Sequence, residues 1–416
     1  MNAFSLAFVT ALAISTGVRL WLSRRHIHHI LQHRGRVPDP FANQIDLSAH
    51  QKAADYSAAK AKLNSLGLAV DAAVLLVLTL GGGFGYLDDL TRSCFGNGLI
   101  AGVALIAAVG IVTSIVELPF DLYRVFGIEA RFGFNKMTLG MFIADALKQA
   151  LVAAVLGLPL VLVVLWLMGK MGTLWWFWVW AVWVAFNVAV LAIYPTFVAP
   201  LFNKFAPMED GDLKSRIEAL LAKCGFKAQG LFVMDGSRRS SHGNAYFTGF
   251  GKAKRIVFFD TLLHRLEPTE IEAVLAHELG HYKMNHVFRR MAWTFGISLA
   301  FLWILGELRH SAWFFDGLHV ATPASDAMAL ILFFTIVPVF TFPLRPLIAM
   351  YSRKHEFEAD AYAARNASAM DLARALVKLY KDNASTLTPD PLHSAFYDSH
   401  PPAAARIARL KSLSAS

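Results

Sequence analysis

The sequence is poor in cysteine and in charge, and both shortages narrow the class of protein. Cys94 and Cys224 are the only cysteines among 416 residues, so a framework of several disulfides is excluded. Charged residues make up 17% of the chain, whereas hydrophobic residues make up 56% and the mean hydropathy is +0.46. Apolar runs of about 18 residues or more recur, which the core of a soluble protein does not need. The composition therefore predicts a polytopic membrane protein.

The sequence also lacks a signal-peptide cleavage site, internal repeats and a clear set of acidic residues within the apolar runs. Arg24 and Arg25 follow the first run directly, without a small-residue cleavage site, so we expect a retained helix and not a removed signal peptide. The chain shows no internal repeat and no clear set of acidic residues inside the apolar runs. Transporters typically have paired repeats or intramembrane acids. The sequence therefore gives little support to a transporter.

Seven apolar runs have about the 20 residues that a helix needs to cross a bilayer. We place them at residues 3–22, 66–87, 99–120, 146–168, 174–198, 291–308 and 327–349. A protein with these runs belongs to the mainly α class, as a seven-helix transmembrane protein.

The basic residues predict the orientation of the helices. Lys and Arg are concentrated in the connections 23–65, 121–145 and 199–287, and in the tail after residue 350. Because basic residues collect on the cytoplasmic side, we expect these parts to be cytoplasmic and the amino terminus to be outside. Cys94 and Cys224 then lie on opposite sides and cannot pair. Basic residues on one membrane face also explain the net charge of +9 without a nucleic-acid partner.

The segment between the fifth and sixth runs is polar enough to form a small α+β domain. Apolar spacing predicts a helix over 212–226, ended by Gly225. Residues 231–235, 244–250 and 255–260 are typical of short strands, with a turn over Gly249–Lys254. A further helix is expected to begin at Pro268, because proline is favoured in the first turn.

That second helix contains the sequence HELGH. His277 and His281 are four residues apart and share one face of the helix, which is a spacing that binds zinc. Glu278 follows the first histidine and can reach a zinc-bound water as a general base. Catalytic zinc takes three protein ligands and keeps one position open, so a third ligand is needed from elsewhere in the chain.

The stretch SRKHEFEAD, just after the seventh run, offers that ligand. Glu356 and Asp360 are four residues apart on one helical face, and Glu358 points away from both. We expect Glu356 to bind the metal and Asp360 to accept a ring N–H from a ligand histidine. On spacing alone, His355 and Glu358 remain competing candidates for the third ligand.

Several stretches together resemble a known family. HELGH, SRKHEFEAD, the strand NAYFTGFGKAKRIVFFDTLL and the late SHPP are similar to those of the type I CAAX prenyl proteases, which are integral-membrane zinc metalloendopeptidases of the gluzincin type. EARFGFNKMT (129–138) resembles the second cytoplasmic loop of that family. The resemblance implies one Zn²⁺ per chain, bound by His277, His281 and Glu356, with Glu278 as catalytic base and Asp360 as support for the ligands.

The resemblance also implies roles for three residues outside the metal motif. Asn244 would hold the substrate backbone, His400 would stabilise the oxyanion, and Arg406 would lie near the carboxyl end of the substrate. An edge strand that binds an extended peptide and a donor opposite the zinc are physically sensible for a protease. From the sequence alone, Asn244 as a turn residue, His400 as part of the Pro401-Pro402 bend and Arg406 as a surface charge remain open alternatives.

These observations divide the chain into four parts. Residues 1–198 contain helices one to five with their cytoplasmic loops, and 199–290 form the cytoplasmic α+β segment with the HELGH helix. Residues 291–349 contain helices six and seven, and 350–416 form a cytoplasmic tail with the third zinc ligand and SHPP. We leave the histidines at 26, 28, 29, 33, 264, 286, 310, 319 and 393 without a role.

The predicted function is a membrane-embedded zinc protease that cleaves membrane-anchored, lipidated or C-terminally prenylated proteins. Its partners would be such a substrate and the lipid bilayer, without nucleic acid. It would lie in the inner membrane of a bacterium or in the endoplasmic reticulum membrane of a eukaryote, with its catalytic segment cytoplasmic. One alternative is an HtpX-like protease that degrades misfolded membrane proteins. A transporter or scaffold with a structural zinc ion is the weaker alternative.

Overall fold

A computed structural model of the chain describes residues 2–227, 230–248 and 255–415. The helices are α1 (Ala3–Gln32), α2 (Leu47–Leu78), α3 (Gly83–Phe95), α4 (Leu99–Leu122), α5 (Leu139–Lys170), α6 (Trp175–Ile193), α7 (Ala199–Phe202), α8 (Asp212–Lys223), α9 (Asp260–Leu263), α10 (Pro268–Lys283), α11 (His286–Leu308), α12 (Ala312–Asp316), α13 (Asp326–Thr341), α14 (Arg345–Asn366), α15 (Ala369–Asp382), α16 (Pro391–Tyr397) and α17 (Ala403–Ala415). The strands are β1 (Phe205–Pro207), β2 (Gly230–Met234), β3 (Ala245–Thr248) and β4 (Arg255–Phe259). The mainly helical class is as predicted.

The number of membrane helices agrees with the prediction. Within the described residues, seven helical segments are long and apolar enough to cross a bilayer: Ala3–Gln32, Leu47–Leu78, Leu99–Glu129, Leu139–Lys170, Gly172–Phe202, His286–Leu308 and Asp326–Asn366. Most of them extend well beyond the predicted runs. Hydropathy marks only the apolar part of a helix, whereas the hydrogen-bonded backbone continues into polar sequence.

The second predicted span, 66–87, runs past the end of one helix and into the next. Helix α2 begins in the predicted loop, at Leu47, and ends at Leu78, and α3 begins at Gly83. The chain turns between them at its glycines: Gly82 has φ +78°, and a Cβ at Gly81 would lie 2.6 Å from the carbonyl oxygen of Val77. Glycine counts as neutral or apolar in a hydropathy window, so the turn is invisible to it.

The described strands form one four-stranded sheet in the order β1-β2-β4-β3. Strands β2 and β4 are parallel, with Leu231 opposite Ile256, while β1 and β3 pair antiparallel with their neighbours. The three predicted strands are confirmed as β2, β3 and β4. The predicted turn over Gly249–Lys254 lies outside the described residues. Strand β3 stands at an edge of the sheet as described.

The predicted helices on either side of the sheet are also present. Helix α8 ends as expected: Gly225 has φ +62°, and the Phe226 N–H donates to the carbonyl oxygen of Leu221 at 2.8 Å. Helix α10 begins at Pro268. Both helices bury apolar side chains in one core with the sheet: Ile217, Leu220, Leu231, Ile256, Phe258, Ile271, Leu275 and Leu279. This core holds α10 at a fixed position next to α14.

Helices α10 and α14 approach each other closely where the candidate site lies. A Cβ at Gly280 would lie 2.9 Å from the Cα of Ala359 and 3.1 Å from its carbonyl oxygen. Ala359 and Ala363 are fully buried. Small residues on both helices therefore allow the two backbones to meet. Helix α14 belongs to the last apolar segment, Asp326–Asn366, so the contact joins the sheet domain to a membrane helix.

Candidate active site

The predicted metal ligands converge from α10 and α14. The His277 Nε2 lies 3.3 Å from the His281 Nε2. Glu356 completes the group, with Oε2 3.5 Å from the His277 Nε2 and Oε1 3.3 Å from the His281 Nε2. Of the three candidates for the third ligand, Glu356 therefore points to both histidines, while His355 and Glu358 form a separate group with His286.

The donor atoms fit a divalent metal ion such as zinc. Tetrahedral zinc with bonds of about 2.0–2.2 Å holds its ligand atoms roughly 3.3–3.6 Å apart, which matches the observed separations. The Glu356 Oε2 is buried without a hydrogen-bond partner, so it has a free lone pair inside the group. Burial by itself lowers the pKa of His277, but the neighbouring carboxylates of Asp360 and Glu356 outweigh it and raise the pKa to about 9. The pocket thus favours a positive charge.

Asp360 and Arg406 support the candidate metal ligands from the side of the His277 ring that faces away from the other two donors. The His277 Nδ1 and the Asp360 Oδ1 are 2.9 Å apart, so the ring can donate its N–H to the carboxylate and direct Nε2 towards the metal position. Asp360 is fully buried, and the Arg406 guanidinium contacts both of its oxygens, with Nε to Oδ2 at 2.9 Å. A buried carboxylate needs such a partner, because an unpaired charge is costly to bury.

Glu278 and His400 are neighbours of the three donor residues. Glu278 is half-buried, and this burial raises the pKa of its carboxyl against the opposing effect of His277 and His281. The His400 Nε2 lies 3.4 Å from the Glu356 Oε1, and its side chain is 58% exposed. A carboxyl with a raised pKa and an accessible ring N–H suit a general base and an oxyanion donor.

Asn244 and Arg406, the two other residues predicted to contact the substrate, differ from each other in burial and in their contacts with the metal group. Asn244 is exposed at the start of β3, where its side-chain oxygen accepts the Ala245 N–H at 2.9 Å. Among the described contacts, it has none with the metal group. Arg406 is buried, and its Nη1 lies 3.6 Å from the Glu356 Oε2. Its described contacts are with Asp360, Glu356 and His277, so its role at the carboxyl end of a substrate stays a prediction.

Comparison with known proteins identifies the family. Residues 26–204 match the profile described as CAAX prenyl protease N-terminal, five membrane helices, and residues 207–414 match peptidase family M48. The chain belongs to peptidase family M48. Its sequence is similar to a CAAX prenyl protease 1 homolog of Oryza sativa subsp. japonica, at 36% identity over 92% of both chains. It is also similar to CAAX prenyl protease 1 of Saccharomyces cerevisiae, at 32% identity over 90% of this chain and 88% of that one.

A solved structure has the same fold over nearly the whole length of this chain. The crystal structure of Ste24p from S. mikatae has a TM-score of 0.91 and 30% sequence identity, and the match covers 99% of each chain. Family and fold together establish a multi-pass membrane metallopeptidase. The resemblance drawn from the sequence motifs is thereby confirmed.

The M48 chain also contains a neighbouring residue, His286, that sequence reasoning left without a role. His286 lies with its Nδ1 3.0 Å from the His281 Nδ1 and its Nε2 2.9 Å from Glu358. A spacing of five residues from His281 would place His286 on another face of a continuous helix. The chain instead turns at Asn285, which has φ +57° and separates α10 from α11. An asparagine at that place is the one signal that could have indicated the turn.

A polar cavity lies between the membrane helices of this protease. It has a volume of about 720 Å³ and is bounded by residues of α1, α2 and α4 and by His393 and Tyr397 of α16. Its charged lining residues are Arg19, Lys60, Asp71, Glu117, Asp121 and Arg124. Such residues are costly in contact with lipid, so the cavity gives them a polar environment within apolar helices.

Proposed function

We propose that this protein is a zinc endopeptidase that cleaves membrane-anchored proteins, with C-terminally prenylated CAAX-type proteins as the favoured substrates. The observation that carries the proposal is the group formed by His277, His281 and Glu356. Its donor atoms lie 3.3–3.5 Å apart and belong to a HELGH helix and to a helix that continues a membrane segment. The similar proteins are named CAAX prenyl proteases.

His277, His281 and Glu356 would hold the zinc ion, with Asp360 orienting His277. Zinc, when bound, supplies a Lewis acid that makes water more acidic and polarises a carbonyl. Glu278 takes the proton from the attacking water and gives it to the leaving amine. A carboxyl whose pKa is raised by burial suits both transfers, because it accepts a proton more readily than an exposed carboxyl and can release it again.

The remaining predicted residues would act on the peptide itself. His400 donates its Nε2–H to the carbonyl oxygen as negative charge develops on it. The outer edge of β3 in the described sheet takes an extended peptide by strand addition, and Asn244, just before that strand, holds the peptide backbone. Arg406 completes the charge balance beneath Glu356 and is the candidate for the substrate's carboxyl end.

The membrane part would deliver the substrate. The last apolar segment leads directly into the helix that contains Glu356, so a peptide attached to a lipid anchor reaches the site without leaving the bilayer surface. The polar cavity beside α16 can hold parts of a peptide that lipid would exclude. We place the site on the cytoplasmic side, where the basic connections lie.

The test uses the purified full chain and one peptide in two forms, farnesylated and unmodified. We expect zinc-dependent cleavage of the farnesylated form, loss of cleavage after zinc chelation and recovery when Zn²⁺ is added back. A chelator-resistant cleavage would contradict the metal assignment. Cleavage of an unfolded membrane protein, with the farnesylated peptide left intact, would favour the quality-control protease instead.

A further inference from the structure

Each of the two histidines of HELGH has its own partner on the side away from the metal position. The His277 Nδ1 faces Asp360 at 2.9 Å. The His281 Nδ1 faces the Nδ1 of His286 at 3.0 Å, and the Nε2 of His286 faces the Glu358 Oε2 at 2.9 Å. His281, His286 and Glu358 therefore form a continuous hydrogen-bonded chain that leads from the metal position to the surface, where Glu358 is 32% exposed.

The carboxylate at the end of this chain determines the direction of both hydrogen bonds. Glu358 can only accept, so the Nε2 of His286 must donate to it. A neutral His286 then has a lone pair on Nδ1, which accepts the N–H of the His281 Nδ1. His281 in turn keeps its lone pair on Nε2, the atom that faces His277 and Glu356. The opposite direction would set the lone pair of His286 against those of the carboxylate.

We propose that His286 and Glu358 are positioning residues, which hold His281 in the tautomer and ring orientation that binds metal. The proposal rests on the proposed zinc site. It gives Glu358 the same task for His281 that Asp360 has for His277, with one imidazole inserted between carboxylate and ligand. Carboxylate–histidine pairs of this kind raise ligand affinity by fixing the tautomer.

A second metal ion at His286, His355 and Glu358 is disfavoured by geometry, although their donor atoms lie close together. The rings of His286 and His355 stack with centroids 3.9 Å apart and planes inclined by only 7°. An ion binds in the plane of an imidazole at about 2.0–2.1 Å. Two parallel planes this far apart cannot both contain the same ion. The stacking instead fixes the ring of His286, which is fully buried.

Helix geometry explains why these residues meet. Helix α10 ends at Lys283, and the left-handed conformation of Asn285 starts α11 in a new direction. His286, the first residue of α11, thereby returns to the side of His281. Glu356 and Glu358 are two residues apart on α14 and point to different sides, so one helix supplies both the metal carboxylate and the support for His281.

The experiment measures zinc retention by the full chain against increasing concentrations of a chelator, and the visible spectrum of the Co²⁺-substituted protein. His286→Phe keeps the ring and its stacking but leaves the His281 N–H unpaired, and Glu358→Ala removes the final acceptor. We expect both to lose zinc about 10- to 100-fold more readily and to change the Co²⁺ bands. His286→Asn and Glu358→Gln retain acceptor oxygens at the corresponding places and should recover most of the affinity.

Controls separate this inference from the zinc site on which it rests. Glu356→Ala should lose zinc outright, and His355→Phe, which keeps the stacked ring, should behave like the unmodified chain. Normal zinc retention in His286→Phe and Glu358→Ala, with loss in Glu356→Ala, would overturn the positioning role alone. Normal retention in Glu356→Ala would overturn the zinc site.

Two ions per chain, one of them lost in His355→Phe, would replace the positioning role with a second metal site. If His286→Phe fails to fold, the comparison of Glu358→Ala with Glu358→Gln tests the positioning role, because Glu358 is partly exposed and its substitution disturbs the core less.

Discussion

In the proposed mechanism, single residues around the metal position have separable tasks, and Glu278 has the most distinct one. It stands next to His277 in sequence, yet its carboxyl is not part of the group of three donor atoms. Its raised pKa comes from burial, opposed by the neighbouring imidazoles. A residue that moves a proton without holding the metal can be changed while the metal stays.

We expect Glu278→Gln to lower kcat by at least about 10²-fold while the zinc content stays at one ion per chain. The amide has the shape of the carboxyl but cannot accept the proton of the attacking water. Metal analysis and turnover of the farnesylated peptide, measured on one sample, check this. Near-normal turnover would mean that another group is the base.

His400→Ala should lower kcat by about 10²- to 10³-fold and leave zinc binding unchanged, because an oxyanion donor acts only as charge develops. His264, an exposed histidine away from the site, provides the matched control as His264→Ala. An increase in KM alone, with kcat unchanged, would assign His400 to substrate binding and not to the oxyanion.

Local sequence motifs were sufficient to predict which side chains of the candidate metal group lie close together. His277, Glu278 and His281 fall within little more than one helical turn, and Glu356 follows from a second motif together with the family resemblance. The contact between His281 and His286 depends on the direction that α11 takes after Asn285, which helical periodicity does not contain. The burial of Arg406 depends likewise on where α17 packs, and a charged residue near a chain end gives no sign of that.

At the scale of helices, the distance between α10 and α14 determines whether the ligands can meet. Both helices approach through Gly280 and Ala359, with backbone atoms as the nearest neighbours of the glycine. Backbone cannot move aside as the end of a flexible side chain can. The HELGH glycine therefore has a packing role in addition to its place in the motif.

Gly280→Ala should separate the helices, lower stability by about 1–3 kcal/mol and weaken zinc binding at the same time. Gly296 of α11 has no neighbouring atom within 4 Å of an added Cβ, so Gly296→Ala is the matched control and should preserve both properties. Thermal unfolding in detergent and zinc retention measure the two effects. Unfolding temperatures that are equal for the two variants would contradict the close packing.

Helix α16 packs against α1 through a pair of stacked histidine rings and an ion pair. His393 stacks on His26 with ring centroids 3.9 Å apart, and Arg25 pairs with Asp390 at 2.9 Å. Burial lowers the pKa of His393 from 6.5 to about 4, which the attraction of Asp390 only partly offsets. Because the folded state then binds fewer protons than the unfolded chain, this stabilisation is complete above about pH 6.5 and is lost as the pH falls towards 4.

His393→Phe keeps a flat ring in the stack but cannot be protonated. We expect its unfolding temperature to fall less between pH 7 and pH 4.5 than that of the unmodified chain. His264→Phe, at an exposed position, should leave the acid response unchanged. If both variants respond to acid as the unmodified chain does, the buried ring of His393 does not contribute to the acid response.

At the scale of the whole molecule, the polar cavity connects the membrane helices to α16. Its lining shows why hydropathy could give the number of membrane helices but not their arrangement. Asp71 and Glu117 lie within long, strongly apolar helical segments, so a hydropathy window averages their contribution away.

Ala61 lines this cavity, so Ala61→Trp should fill part of it. We expect lower kcat/KM for the farnesylated peptide with normal zinc retention, because the change lies away from the metal ligands. Val77, which is 63% exposed on the same helix, gives the control Val77→Trp on an outer surface. Equal activity of the two tryptophan variants would exclude the cavity from the path of the substrate.

Two membrane crossings, α11 and α13, separate the histidines of α10 from Glu356 on α14. During synthesis, a ribosome that has just completed α10 has made the two imidazoles but not the carboxylate. The final hydrophobic helix, α13, is also synthesised before the third donor. With His277, His281 and Glu356 as the proposed ligands, we therefore expect the nascent chain to be proteolytically silent until α14 has been made and has packed against α10.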